Sequence, residues 1–503
     1  MGNRIIKISN FRKTIHYLQK NGVKRAFYAA KERIAEERKA EYIYMEPTRE
    51  VLTAQREEAK LFSYRLSLVV PAYETKAEFL RELIESVLRQ SYENWELVIA
   101  DASSSDGVEK IVAEYIEKEC RIRYMRLTEN NGISANTNAG IETATGDYIG
   151  LLDHDDFLTP DALYEMAKAI YETEKMKKEP ILLYSDEDKY ENNTRCYVQP
   201  NIKYKFNLDL ILSNNYICHL MFIKADVMKK LKLRKEYDGA QDYDLVLRVV
   251  GRLLEHTKVV DLETKMIHIP RVLYHWRCHE ASTAENTASK SYAYEAGKAA
   301  LEDFCSQRGW KTEIKHSLHL GFYEMTYHPD IFDVRPEVGV LGGRILDRKN
   351  IITSGIYDED GKRLYKGVHK EYSGGSTHRA VLKQDCMAVD IRCMRVCQSL
   401  QPIFEQIMGI PYQEVGKQKL ADVSGISCDE EGYRKLSMEF GRAVRKAGYL
   451  VVWDPKTTTK VKKLNGDLTH EIYDCNTELQ WHKISGKLSA FSGNGTGIHY
   501  CDR

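Results

Sequence analysis

At 503 residues the chain is too long for one ordinary core, which points to two or three domains. It is 43% hydrophobic and 29% charged, the balance of a folded globular protein, and its formal net charge of zero excludes a bulk electrostatic binder of nucleic acid. The 11 cysteines show no C-x-x-C spacing, so zinc frameworks and redox motifs are not expected. No run of about 18 apolar residues occurs and no apolar core of signal length opens the chain, so the expected place is the cytoplasm.

Residues 1–65 read as a basic helical extension. Arg4, Lys7, Arg12, Lys13, Lys20, Lys24, Arg25 and Lys31 all precede the first acidic side chain, Glu32. Ile8, Phe11, Ile15 and Leu18 recur at helical spacing, and the stripe breaks at Asn21-Gly22. The readings are a helix in peripheral contact with the inner face of an anionic membrane or gripping a partner, against a docking helix with a solvated basic face.

From Leu66 the pattern changes. Leu66 to Val70 predicts a buried strand stopped by Pro71. A helix follows, with Phe79, Leu80, Leu83, Ile84, Val87 and Leu88 on one face. Trp95 to Ala100 predicts a second strand, and Val108, Ile111, Val112, Tyr115 and Ile116 a second helix. A strand over Ile122–Leu127, a helix through Ala139-Gly140-Ile141 and a strand over Tyr148–Leu152 complete the run. Strands alternating with helices at this spacing predict an α/β fold with a mostly parallel, doubly wound sheet. Ligands of such sheets sit beyond the carboxyl ends of the strands.

Three strand ends are polar: Pro71-Ala72-Tyr73-Glu74, then Asp101-Ala102-Ser103 running on to Gly107, then Asp153-His154-Asp155-Asp156. Each alone reads as an ordinary turn, and Thr159-Pro160 reads as a helix cap with proline at the first helical position. All three on one rim is a stronger pattern. Carboxylates packed together repel unless a cation joins them, and hard oxygen ligands that leave room for water and phosphate suit Mg²⁺ or Mn²⁺. Neither a P-loop nor a G-x-G-x-x-G fingerprint is present.

These segments resemble a family. With Asn131-Gly132-Ile133-Ser134, Gly146-Asp147-Tyr148-Ile149, Gly239-Ala240-Gln241-Asp242-Tyr243-Asp244-Leu245 and Tyr274-His275-Trp276-Arg277-Cys278-His279, residues 66–325 resemble a family 2 glycosyltransferase of the GT-A fold. The resemblance implies an inverting hexosyl- or deoxyhexosyltransferase of cell-surface polysaccharide synthesis. Its expected partners are a UDP- or dTDP-sugar donor and a saccharide or lipid-linked saccharide acceptor, without nucleic acid; a homo-oligomer is also weighed. By the same resemblance Pro71, Ala72, Tyr73 and Glu74 border the nucleotide, and Asp101 meets the base with Ser103 beside it. Asp153 and Asp155 form a D-x-D motif: Asp153 contacts ribose or metal water, and Asp155 holds Mn²⁺ or Mg²⁺. His279 matches the histidine that completes the metal site, with His275 as its competitor. Asp242 matches the catalytic aspartate. Gln241 stands where many relatives carry glutamate, and Asn136 where many carry arginine. The plainer alternative for Asp242 is a helix N-cap.

Tyr184-Ser185-Asp186-Glu187-Asp188-Lys189 falls on the acceptor side by the same resemblance, and also reads as a solvated charged turn. Residues 326–460 echo the back half of a transferase. Asp385 to Met394 resembles Ile217 to Met228, and no second strand-Pro-Ala-Tyr segment precedes it. This predicts a truncated transferase-like unit without a nucleotide site. Residues 461–503, with Ser492 to Gly497, read as a tail. Two rivals are kept: a sugar nucleotidyltransferase, disfavoured by Glu74-Thr75-Lys76 where a glycine-rich basic loop is needed, and a catalytically degenerate binding scaffold.

Overall fold

The computed structural model describes residues 22–32, 41–279, 287–461 and 499–501. Residues 22–32 are helical; the stripe from Ile8 to Leu18 and the glycine-rich stretch at 492–497 lie outside the described residues. The basic extension is not helical throughout. Glu41–Ile43 forms a strand, β1, which pairs antiparallel with His499–Cys501, and only then does helix α1 follow at Arg49–Glu58.

The main sheet is built from β2 (Leu66–Ala72), β3 (Trp95–Asp101), β4 (Ile122–Arg126), β5 (Tyr148–Leu151), β6 (Phe157–Leu158), β7 (Leu182–Glu191), β8 (Cys196–Asn201), β9 (Met221–Lys224) and β10 (Met266–Cys278). Its order is β4-β3-β2-β5-β9-β7-β10-β6, with β8 beside β7. The first four strands are parallel, as their spacing predicts, because each crossover is a helix: α2 (Ala77–Leu88), α3 (Gly107–Ile116) and α4 (Ile133–Thr143). β9 then runs antiparallel between β5 and β7, and β7 and β10 resume the parallel direction. Helices on both faces bury the strands twice over, which is why β2 and β3 are continuous apolar runs.

Pro71 does not stop β2. The strand continues to Ala72 along β3, while its pairing with β5 ends at Val69, so the missing N–H of Pro71 lies beyond that ladder. Helix α5 (Ala162–Lys175) starts two residues later than Thr159-Pro160 suggests. Thr159 Oγ1 instead donates to Asp161 Oδ1 at 2.8 Å.

The segment Tyr184–Lys189 is neither a turn nor solvated. It lies within β7, and its carboxylates are buried and paired. Asp186 accepts from Lys203 N and pairs with His268 Nε2, each at 2.8 Å. Asp188 pairs with His275 Nδ1 at 2.6 Å and accepts from Tyr42 at 2.8 Å.

The second unit has its own sheet of β11 (Val338–Leu346), β12 (Ile352–Ser354), β13 (Gln384–Asp385), β14 (Met394–Val396) and β15 (Leu450–Lys460), in the order β12-β11-β15-β13 with β14 also on β11. That sheet holds one parallel pair, β11 with β15. It does not stand apart. Val338, Leu341, Leu450 and Val452 join Ile211, Leu212 and Tyr243 in one apolar cluster. Arg335 is fully buried and donates to Asp209 at 2.6 Å, and Asn207 bonds both backbone polar groups of Asp385. Its carboxylates are structural: Asp390 accepts from Ser354, Tyr357 and Arg392, Asp385 from Arg445, and Asp429 caps the helix Glu430–Lys446.

Candidate active site

The predicted rim exists. The ends of β2 and β3 are knitted by two carboxylates. Asp101 is fully buried and accepts from Ser103 N (2.8 Å), Ser103 Oγ (2.5 Å), Tyr124 (2.8 Å) and Arg126 (3.3 Å). Glu74 accepts from the backbone and hydroxyl groups of Ser104 and Ser105, which hold its carboxyl down to about 2. Ser103 Oγ accepts from Glu74 N at 2.8 Å and closes the loop. Pro71 is partly exposed, Ala72 is buried, and the Tyr73 ring stands 49% exposed beside this wall. Sequence reasoning missed Tyr124 and Arg126. Their signal was the two-residue alternation of β4, which puts both on the face that looks at Asp101.

The acidic cluster follows β5. Its four members divide sharply. Asp156 is buried and accepts from Arg277 N at 2.7 Å and from Tyr274; burial and the adjacent Asp155 and Asp153 push it well above the usual carboxylate range, so it is a structural acid. His154 Nδ1 lies 2.9 Å from Thr75 Oγ1 and ties the cluster to the end of β2. Asp153 is raised by burial, an effect opposed by His219 and His154 and reinforced by Asp155 and Asp242. Asp155 Oδ2 lies 2.9 Å from His279 Nε2, and its backbone oxygen accepts from Arg277 Nε at 2.6 Å. Arg277 is itself held between the Phe79, Phe157 and Tyr190 rings.

The two histidines part company. His275 is buried on Asp188 and walled by Tyr44, Phe157 and Tyr197. His279, the first residue past β10, reaches Asp155.

The Asp155–His279 contact at 2.9 Å is a hydrogen bond, and its donor set, one carboxylate oxygen and one imidazole nitrogen, is of a kind that suits a divalent cation. Among the described residues no third His, Cys, Asp or Glu completes a protein-only site. Such a pair leaves positions for water and phosphate oxygens, as Mg²⁺ and Mn²⁺ prefer, and the imidazole favours Mn²⁺.

Asp242 lies in the first turn of helix α6 (Gln241–His256), whose N-cap is Ala240. It is therefore not the cap. Its Oδ2 accepts from Asn215 Nδ2 at 2.8 Å. Gln241 folds back to accept from Gly239 N at 2.7 Å. Gly239 has φ +91° and its ideal Cβ would come 2.3 Å from the Tyr292 ring, so only glycine fits. Asn136 is buried and serves its own loop, accepting from Asn131 N at 3.3 Å and donating to Asn130 at 2.9 Å.

Between Asp153 and Asp242 runs the turn Cys218-His219, which sequence reading left unassigned. His219 Nε2 is 3.7 Å from Asp153 Oδ2, and burial, reinforced by the negative charge of Asp242, pushes the Cys218 thiol well above the usual thiol range. The turn is gripped by a buried ion pair. Lys203 Nζ donates to Glu187 Oε2 (3.3 Å), Ile217 O (3.0 Å) and His219 O, while Glu187 accepts from His219 N. Breaking a buried pair leaves an uncompensated charge. Lys203→Met is expected to cost about 3 kcal/mol, read as a lowered urea midpoint; an unchanged midpoint would show that the pair contributes little.

The model of the family described as "Glycosyl transferase family 2" matches residues 67–231. The O-antigen biosynthesis protein RfbC of Myxococcus xanthus is 33% identical over 273 residues, covering 54% of this chain, and the chain spans only 20% of that protein. WcaA of Escherichia coli K12, named for a glycosyl transferase role in colanic acid biosynthesis, is 30% identical over 212 residues, covering 41% of this chain and 72% of WcaA. The solved structure of Staphylococcus aureus TarS 1-349 in complex with UDP-GlcNAc aligns with a TM-score of 0.37 at 17% identity, covering 47% of this chain and 65% of that one, too loosely to add to the topology above. With most of WcaA matched and the family's model lying on β2 to β9, the chain belongs to glycosyl transferase family 2.

Proposed function

We propose that the chain is an inverting glycosyltransferase of cell-surface polysaccharide synthesis, moving a sugar from a UDP- or dTDP-sugar to a hydroxyl of a saccharide or lipid-linked saccharide. One observation carries the reading. Asp242 and Asp153 are reached by one loop ahead of β9, in which Asn215 donates to Asp242 at 2.8 Å and His219 stands 3.7 Å from Asp153. Transfer needs help at both ends of the breaking bond, and this rim has a group for each. Asp155 and His279 would hold Mn²⁺ or Mg²⁺, which when bound neutralises charge on the leaving diphosphate. Asp101, Ser103 and Tyr73 line the end where the base would lie. Asp242, oriented by Asn215, takes the proton of the attacking hydroxyl. One base and no enzyme nucleophile lead to direct displacement, hence inversion.

The test is a screen of UDP- and dTDP-sugars for Mn²⁺-dependent release of UDP or dTDP. One donor class is expected to respond. Titration of that donor should show one site per chain, lost in Asp155→Ala. A donor site surviving in Asp155→Ala would place nucleotide binding in the second unit and overturn the assignment.

A further inference from the structure

We propose that His219 is a contact to the transferred sugar of the donor, bridging one sugar hydroxyl to Asp153. The inference rests on the rim being a sugar-nucleotide site and adds to it a residue that determines which sugar is accepted.

The position argues first. Diphosphate would sit at Asp155 and His279, and the base is Asp242, so the anomeric carbon must lie between them. His219 occupies that interval: its ring nitrogen Nε2 stands 3.7 Å from Asp153, and Asn215, in the same loop before β9, donates to Asp242 at 2.8 Å. The ring's surroundings argue second. One face stacks on Tyr274 at 5.0 Å and 21°, an edge meets Trp276 at 6.4 Å, and Nδ1 lies 2.8 Å from Cys218 Sγ. Nε2 is thereby aimed at Asp153 but stops 3.7 Å short, too far for a direct hydrogen bond. A hydroxyl oxygen at about 2.8 Å from each would fit between them. With the proton of the imidazole on Nε2, Nε2–H donates to that oxygen, and the hydroxyl proton goes to Asp153.

The clamp argues third. A fully buried lysine is costly unless every donor is used, and Lys203 is used on Glu187 and on the carbonyls of Ile217 and His219. Glu187 in turn takes the N–H of His219. Both backbone polar groups of one residue are held by one buried pair, which fixes the ring in place before any substrate arrives.

The test compares binding of the nucleotide alone with binding of the sugar nucleotide. Calorimetry with Mn²⁺ is run on wild type, His219→Ala and His219→Gln, using UDP and dTDP alone, the UDP- and dTDP-sugars of the donor screen, and monodeoxy analogues of the tightest of them. UDP or dTDP affinity is expected to stay within about twofold in both variants. Sugar-nucleotide affinity should fall about tenfold or more in His219→Ala, with partial recovery in His219→Gln. One deoxy analogue should be weakened in wild type yet show no further loss in His219→Ala, because variant and analogue remove the same bond. Equal loss for nucleotide and sugar nucleotide would mark a structural role and overturn the inference. So would unchanged affinities, or losses that add for every analogue. Wild-type protein that binds neither UDP nor dTDP overturns the site reading itself, and this inference with it.

Discussion

Asp242→Asn is expected to keep donor binding and to slow transfer by about 10²- to 10⁴-fold, the range that a positioned general base contributes. The substitution is nearly isosteric, so Asn215 keeps a partner at the 2.8 Å position now filled by Asp242 Oδ2. Helix α6 is capped at Ala240, so its start does not depend on the Asp242 side chain. What the variant loses is an acceptor for the proton of the attacking hydroxyl. The measurement is single-turnover transfer alongside calorimetric donor binding. Near-normal turnover with intact binding would remove Asp242 from the chemistry. Loss of donor binding together with turnover would make it a structural residue of the α6 start.

Chelation is expected to abolish transfer, and Mn²⁺ to restore it more fully than Mg²⁺. The reason is the composition of the pair at 2.9 Å, one carboxylate oxygen and one imidazole nitrogen. A nitrogen ligand costs Mg²⁺ more than it costs Mn²⁺. His279→Ala should therefore weaken Mn²⁺ binding, followed by Mn²⁺ relaxation enhancement of solvent protons, by about tenfold or more. His275→Ala should leave that affinity near wild type while lowering thermal stability, because His275 is buried on Asp188 at 2.6 Å. If only His275→Ala weakens the metal, the pairing with Asp155 is not the metal pair. Activity that survives exhaustive chelation would leave the diphosphate without the proposed cation.

The sequence by itself determined the parallel half of the sheet and the positions of its polar ends. Both are local matters. Continuous apolar runs such as Leu66–Val70 and Trp95–Ala100 can be buried only as doubly covered strands, and helical periodicity between them forces parallel crossovers. Residues at the carboxyl ends of such parallel strands gather on one rim of the sheet, so the placing of Asp101, Asp153 and Asp155 at strand ends was legible without coordinates. Tertiary structure decided everything that depends on which strand lies beside which. Tyr184–Lys189 reads as a charged turn because nothing local reveals that Lys203, His268 and His275 will come to meet its three carboxylates. His275 and His279 are four residues apart in one motif, and only the pairing of β10 with β7 buries the first on Asp188 and brings the second to Asp155. His219 carries no signal at all in sequence. Its place between Asp153 and Asp242 comes from β9 inserting antiparallel between β5 and β7, a long-range pairing that no window of neighbouring residues encodes.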